Sequence, residues 1–240
     1  MFIGFDPLYF IIMAPGLLLA MWAQSKVQSA FAEGSRYPSR SGITGAEAAA
    51  RVMGSEGLRG IAIEPVHGAL TDHYDPTSKV LRLSEPVYAE RSLSALGVAA
   101  HEAGHALQDA HHYGPLKVRN LMVPVASLGS SASWILIMVG LMLGASGSFL
   151  GSKILVLGML LFSGVVLFQL VNLPVEFDAS RRAREALQMN GLVSAEEDQV
   201  VGRVLNAAAW TYVAGTLTSA LTLVYYALRS GLLGGSSDDR

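Results

Sequence analysis

Five consecutive residues carry the most pointed chemistry in this sequence: His101, Glu102, Ala103, Gly104 and His105, which read HEAGH and fit the H-E-x-x-H pattern. On a helix of 3.6 residues per turn, positions i and i+4 lie about 40° apart in azimuth and about 6 Å apart along the axis. Both imidazoles can therefore reach one metal ion. Glu102 points about 100° away from His101, poorly placed as a ligand, but its carboxylate can reach a water held at the metal's open position. There it can serve as a general base and return the proton to a leaving amine. A mid-helix glycine such as Gly104 costs about 1 kcal/mol relative to alanine, which implies that another segment packs closely against it. With 6 His and 11 Glu in 240 residues, about 0.01 chance matches to the pattern are expected in a chain of this composition.

A catalytic zinc needs a third protein ligand and one open position. The chain has no cysteine, which excludes disulfide frameworks, Cys-type zinc modules, iron-sulfur clusters and cysteine nucleophiles. The third ligand must come from His, Asp or Glu, and the candidates are Glu176, Asp178, His67, His73, His111, His112 and Asp109. His111 and His112 read as a solvated helix end. Asp109, one turn past His105, is either a surface carboxylate or a group that supports a ligand. Glu176 and Asp178 stand in NLPVEFDASRRAREAL, where an apolar run passes into a charged helical pattern. They could be interfacial charges beside Arg181 and Arg182, but they could equally face HEAGH.

The elements that must position these residues follow from composition. At 51% hydrophobic and 15% charged residues, the chain is far less charged than a soluble domain at about 25%. Four uncharged windows (7–25, 120–152, 154–175 and 204–228) are each long enough for a bilayer-crossing helix of about 20 residues. The first lacks a basic lead-in and follows Asp6, so it reads as a retained anchor and not as a cleaved leader. Gly144 to Ser148 make a turn between the second and third. The segments 26–119 and 176–203 hold 14 of the 17 Lys and Arg residues, which by the positive-inside tendency puts both in the cytoplasm and both termini outside. The net charge of −2 offers no positive excess for holding nucleic acid by its phosphates.

Within 26–119, Thr44 and Glu47 have capping-box spacing ahead of an Ala-rich helix that Gly54 and Gly57 would end. IAIEPVHGAL and KVLRLS read as two strands or a hairpin around the turn-rich TDHYDPTS. One helix is predicted from Pro86 to about His111. The expected fold is a mainly α membrane protein, with about four transmembrane helices and a small α+β zincin-like cytoplasmic domain. Its parts are an anchor (1–25), the cytoplasmic segment with the HEAGH helix (26–119), a transmembrane hairpin (120–175), a cytoplasmic helix (176–203), a last crossing (204–228) and a flexible polar tail (229–240).

HEAGH followed by a transmembrane hairpin and EFDAS resembles the membrane-integrated gluzincin peptidases of the HtpX and CAAX-protease type, whose second helix carries a pattern like E-x-x-A-D. The sequence resembles more closely the YugP-like neutral zinc metallopeptidases, through GALTDHYDPTSKVLRLSEPVY (68–88), GVAAHEAGHALQ (97–108) and LPVEFDASRRA (173–183). The resemblance implies Zn2+ held by His101, His105 and Glu176, with Glu102 as general base. Ser180 stands where the broader group has an Asp that orients a ligating His, so Asp178 or Asp109 is an alternative for that role. The resemblance also implies that KVLRLS is an edge strand to which an extended peptide could add.

TDHYDP (71–76) has two readings. It is a turn held by Asp72 and Asp75, or it brings His73 or Tyr74 to the zinc as a donor to the oxyanion. The function expected is hydrolysis of a membrane-associated polypeptide by a zinc metalloendopeptidase. The alternatives are a site-2-type intramembrane protease with an Asp as third ligand, a metal transporter, and a non-catalytic zinc-stabilised membrane scaffold.

Overall fold

A computed structural model describes residues 6–68 and 70–230. The tail from Gly234 to Arg240, expected to be a flexible polar end, lies outside the described residues. The element order is α1 (Pro7–Gly34), α2 (Gly45–Ser55), β1 (Ala62–Val66), β2 (His73–Asp75), β3 (Val80–Ser84), α3 (Glu85–Ala89), α4 (Leu93–Ala110), α5 (Gly114–Ala145), α6 (Phe149–Met189) and α7 (Ala195–Arg229). The chain is thus mainly α with one small mixed sheet, and among the described residues four helices, α1, α5, α6 and α7, are long and apolar enough to cross a membrane. The protein is membrane-integrated. Three apolar windows (7–25, 154–175 and 204–228) are shorter than the helices that contain them, because hydropathy ends where charges begin whereas helical hydrogen bonding continues; the window 120–152 instead runs past the end of α5 at Ala145 and into α6. α6 runs unbroken from its apolar half through Glu176 to Met189.

Two compact units divide the chain. The first comprises the described parts of Met1–Trp22, Val118–Val171 and Tyr212–Arg240. Large apolar side chains lie on its outside: Ile11 is 71% exposed, Leu121 78% and Phe149 76%, a surface that suits hydrocarbon and not water. Its interior gathers Ile137, Leu155, Met159, Phe162, Val166, Tyr225 and Tyr226. α5 and α6 approach through glycines: a Cβ on Gly140 would stand 2.5 Å from Leu155 N, and one on Gly158 2.9 Å from Ile137 N. Small residues at such contacts let helix backbones come together where lipid gives no hydrophobic drive.

The second unit comprises Ala23–Lys117 and Asn172–Thr211. Its core is built from Val52 and Met53 of α2, Leu81 and Leu83 of β3, Leu96 and Leu107 of α4, Leu187 of α6 and Val201 of α7. Thr44 caps α2 as expected: its hydroxyl accepts from Glu47 N at 3.2 Å and Glu47 Oε2 accepts from Thr44 N at 2.8 Å. The helix ends before Gly57, whose φ of +74° favours glycine.

Two expectations are corrected here and one open alternative is decided. IAIEPVHGAL and KVLRLS hold two strands and not a hairpin, because β1 pairs parallel to β3, β2 from the turn-rich stretch pairs antiparallel to β3, and the order is β1-β3-β2. KVLRLS is therefore the central strand. Its Leu81 and Leu83 are fully buried, while Pro65, which has no N–H to donate, sits in β1 at the edge. The helix predicted from Pro86 is also interrupted: α3 ends at Ala89, Glu90 is extended at φ −75° and ψ 155°, and α4 starts afresh when the Ser92 hydroxyl accepts from Ala95 N at 3.2 Å. A serine that can satisfy a free helix N–H competes well with continuing the helix through it.

Candidate metal centre

α4 and α6 meet in a regular register that places His101, His105 and Glu176. A Cβ on Gly104 would stand 2.6 Å from the carbonyl oxygen of Ala179, so the glycine is needed for this approach of the two backbones. One turn further along α4, the Gln108 amide donates from Nε2 to Val175 O at 2.8 Å, one turn back along α6. Successive contacts thus run in opposite directions on the two helices, and His101, His105 and Glu176 fall between them. The two imidazoles stand edge to face, with ring centroids 4.8 Å apart. Glu176 Oε2 lies 3.3 Å from His101 Nε2 and 3.6 Å from His105 Nε2, and the ligand atoms of all three residues are within 4.8 Å of one another.

The chemistry of this cluster fits a divalent cation. Glu176 is 3% exposed, and its Oε2 has no hydrogen-bond partner in good geometry, a costly state for a buried carboxylate oxygen. His101 Nδ1 contacts Ser180 Oγ at 3.0 Å, and His105 Nδ1 contacts Gln108 Oε1 at 3.0 Å. With the far nitrogens engaged in this way, both Nε2 atoms and the carboxylate converge as electron-pair donors. The same demand for positive charge shows in His105. Burial disfavours its imidazolium, but the adjacent Glu176 carboxylate and the charge of Glu102 outweigh burial and raise its pKa above the ordinary value. Two imidazole nitrogens and one carboxylate form a three-ligand zinc set, which leaves the fourth position for water or substrate.

Residues 9–231 match the family described as "Putative neutral zinc metallopeptidase". The chain belongs to this family. A curated relative, "Putative membrane protease YugP" of Bacillus subtilis (strain 168), is 44% identical over 221 residues, covering 92% of this chain and 96% of the relative. No solved structure matches. With the family, the relative and the cluster of His101, His105 and Glu176 in agreement, the enzyme is a membrane-embedded zinc metallopeptidase of gluzincin type that acts on polypeptides.

The other residues singled out from the sequence divide clearly. Glu102 is buried on α4. Asp178 is not in the cluster; its Oδ2 accepts from Gln108 Nε2 at 3.0 Å and from Arg182 Nε at 2.5 Å, and Arg181 pairs with its other oxygen. An Asp as third ligand, the mark of the site-2-type alternative, is thus not what this cluster provides. Tyr74 donates to Asp109 Oδ2 at 2.9 Å, and Lys79 pairs with the same carboxylate. His73 is exposed, with Nδ1 held by Thr71 O at 2.8 Å, and neither His73 nor Tyr74 joins the ligand cluster. In TDHYDP the aspartates do the work of the turn: Asp75 accepts from Thr77 N and from Ser78, and Asp72 accepts from Ser84 N at 2.7 Å. His67 pairs with Glu85 at 2.8 Å on the surface, and the exposed His111 lies beside Arg182.

Gln108, which the sequence alone does not mark, also belongs to the site: it lies three residues after His105, between Leu107 and Asp109, and an uncharged polar side chain must find partners if it is buried. It is fully buried.

Proposed function

We propose that Glu102 is the general base of peptide-bond hydrolysis at this site, that Ser180 supports His101, and that the site faces the cytoplasm with both termini outside. The observation that carries the catalytic reading is the buried Glu176 Oε2, without a hydrogen bond, set against the Nε2 atoms of both HEAGH histidines; the orientation is supported by the 14 of 17 Lys and Arg residues in 26–119 and 176–203. A zinc ion bound there supplies Lewis acidity, polarising the scissile carbonyl and lowering the pKa of water. Glu102, one residue from His101 and pointing about 100° around the helix, takes a proton from the attacking water and delivers it to the leaving amine nitrogen. Ser180 Oγ, 3.0 Å from His101 Nδ1, holds that ring from behind in the place where the broader group has an aspartate. A hydroxyl adds no negative charge behind the imidazole, so His101 is a less electron-rich ligand than one backed by a carboxylate. Neither Asp109 nor Tyr74 enters this scheme, because each is taken up by the other.

Glu102→Gln tests the assignment. It should keep zinc and lower kcat by about 10²- to 10⁴-fold on a membrane polypeptide substrate; full turnover with zinc retained would end the general-base reading. The orientation is tested separately, since the chain has no cysteine to interfere. Single cysteines at Glu56 and Ser230 should differ in intact cells, with only the one at 230 open to an impermeant thiol reagent, and the reverse pattern would invert the topology.

A further inference from the structure

We propose that Gln108 is a positioning residue of the metal site: its amide fixes the tautomer of His105 and ties that ligand, through Asp178 and Val175, to the turn of α6 that carries Glu176. The inference rests on the zinc-site reading above and goes beyond it.

Three contacts define the amide completely. Nε2 donates to Val175 O at 2.8 Å and to Asp178 Oδ2 at 3.0 Å, and neither acceptor has a proton to offer. The amide nitrogen must therefore face α6, which leaves Oε1, an atom that can only accept, 3.0 Å from His105 Nδ1. Nδ1 then carries the proton and Nε2 the lone pair, as a metal ligand requires. The support of His101 is different in kind. The Ser180 hydroxyl can donate or accept, so that contact holds the ring in place without dictating which nitrogen is protonated.

Gln108 is also anchored from behind. Asp178 is clamped by Arg181 and Arg182, so the acceptor that orients the amide is itself fixed. The relay therefore runs from an arginine-pinned carboxylate through a fully buried amide to one zinc ligand, and a second bond from the same nitrogen reaches the peptide that precedes the other ligand, Glu176.

The test uses the full-length protein with Gln108→Met, Gln108→Glu and His105→Ala, and measures zinc Kd by chelator competition, the visible spectrum of the cobalt-substituted site and the thermal midpoint. Gln108→Met, close in length and without hydrogen-bonding atoms, should weaken zinc binding by about 10- to 100-fold and change the cobalt spectrum. Gln108→Glu keeps an acceptor for His105 but loses both donors. It should hold zinc near the wild-type Kd while its melting point falls, and this variant also serves if the Met variant fails to fold. An unchanged Kd and spectrum in a folded Gln108→Met protein, or an equal loss of zinc by Gln108→Glu, would overturn the proposal. His105→Ala separates the two layers: if it binds zinc as well as wild type, the zinc-site reading fails; if it loses zinc while Gln108→Met does not, only the role of Gln108 fails.

Discussion

The two units of this chain use close helix contacts to different ends. In the apolar unit, Gly140 and Gly158 admit the backbones and side chains of Leu155 and Ile137, and the result is packing alone. In the polar unit, Gly104 admits the Ala179 carbonyl in the same manner, yet the residues flanking it are His101, His105, Glu176 and Gln108. A glycine contact between helices is therefore a generic device, and what it builds depends on the side chains one turn to either side. The surroundings differ accordingly: large exposed apolar side chains such as Leu121 and Phe149 cover the first unit, whereas the second closes a buried core around its sheet.

The sharpest way to break this comparison is to add one methyl group to each contact. Gly104→Ala should cost about 1–3 kcal/mol through overpacking, partly offset by helix propensity. Because the metal ligands straddle the contact, zinc affinity should fall by about 5- to 150-fold. Gly140→Ala should lower the thermal midpoint in detergent by a similar overpacking penalty while zinc Kd stays at its wild-type value. Equal losses of zinc affinity in the two variants would show that the contacts are not functionally distinct.

A second, smaller effect is expected from pH. The His105 imidazolium is favoured above its ordinary range by Glu176 and Glu102 despite burial, and zinc needs the neutral ring. Zinc affinity should therefore decline by about tenfold per pH unit per proton displaced as pH falls through that raised value, beginning at higher pH than for an unperturbed histidine. The stability of zinc-stripped protein should run the other way. A raised histidine pKa contributes stability that is complete below the unfolded value near 6.5 and is lost as pH rises through the folded value. Melting curves at pH 6 and pH 9, with and without zinc, check both signs.

The smallest effect belongs to a feature remote from the metal. Thr44→Ala removes the capping box of α2 and should cost about 1 kcal/mol, seen as a lower melting point with zinc Kd unchanged. If zinc binding weakened with it, the helix cap would have to be counted as part of the site.

The HEAGH pair and Glu176 were legible in the sequence because i, i+4 geometry is local and the third ligand lies within a recognisable motif. The apolar helices were legible because continuous hydropathy needs no knowledge of partners. Strand pairing was not, since alternation identifies a strand such as KVLRLS without saying which strands flank it. Pro65 was the one local sign that β1 takes an edge. Gln108 was hidden for a related reason: its partners, Asp178 and Val175, lie about 70 residues away, and no local pattern announces a bond of that span. The break at Ser92 is not legible because serine is tolerated inside a helix and reveals itself as a cap only when its own backbone turns extended.

The opposed register of α4 and α6 has one more consequence. The three ligand atoms converge only while that register holds, so zinc binds the folded chain and not the open one, and mass action then favours folding by about 2.7 kcal/mol when free zinc stands a hundredfold above Kd. Melting temperature should climb with the logarithm of free zinc. The quantity of folded enzyme in a membrane is thereby coupled to the supply of metal around it, and scarcity would lower its abundance as well as its activity.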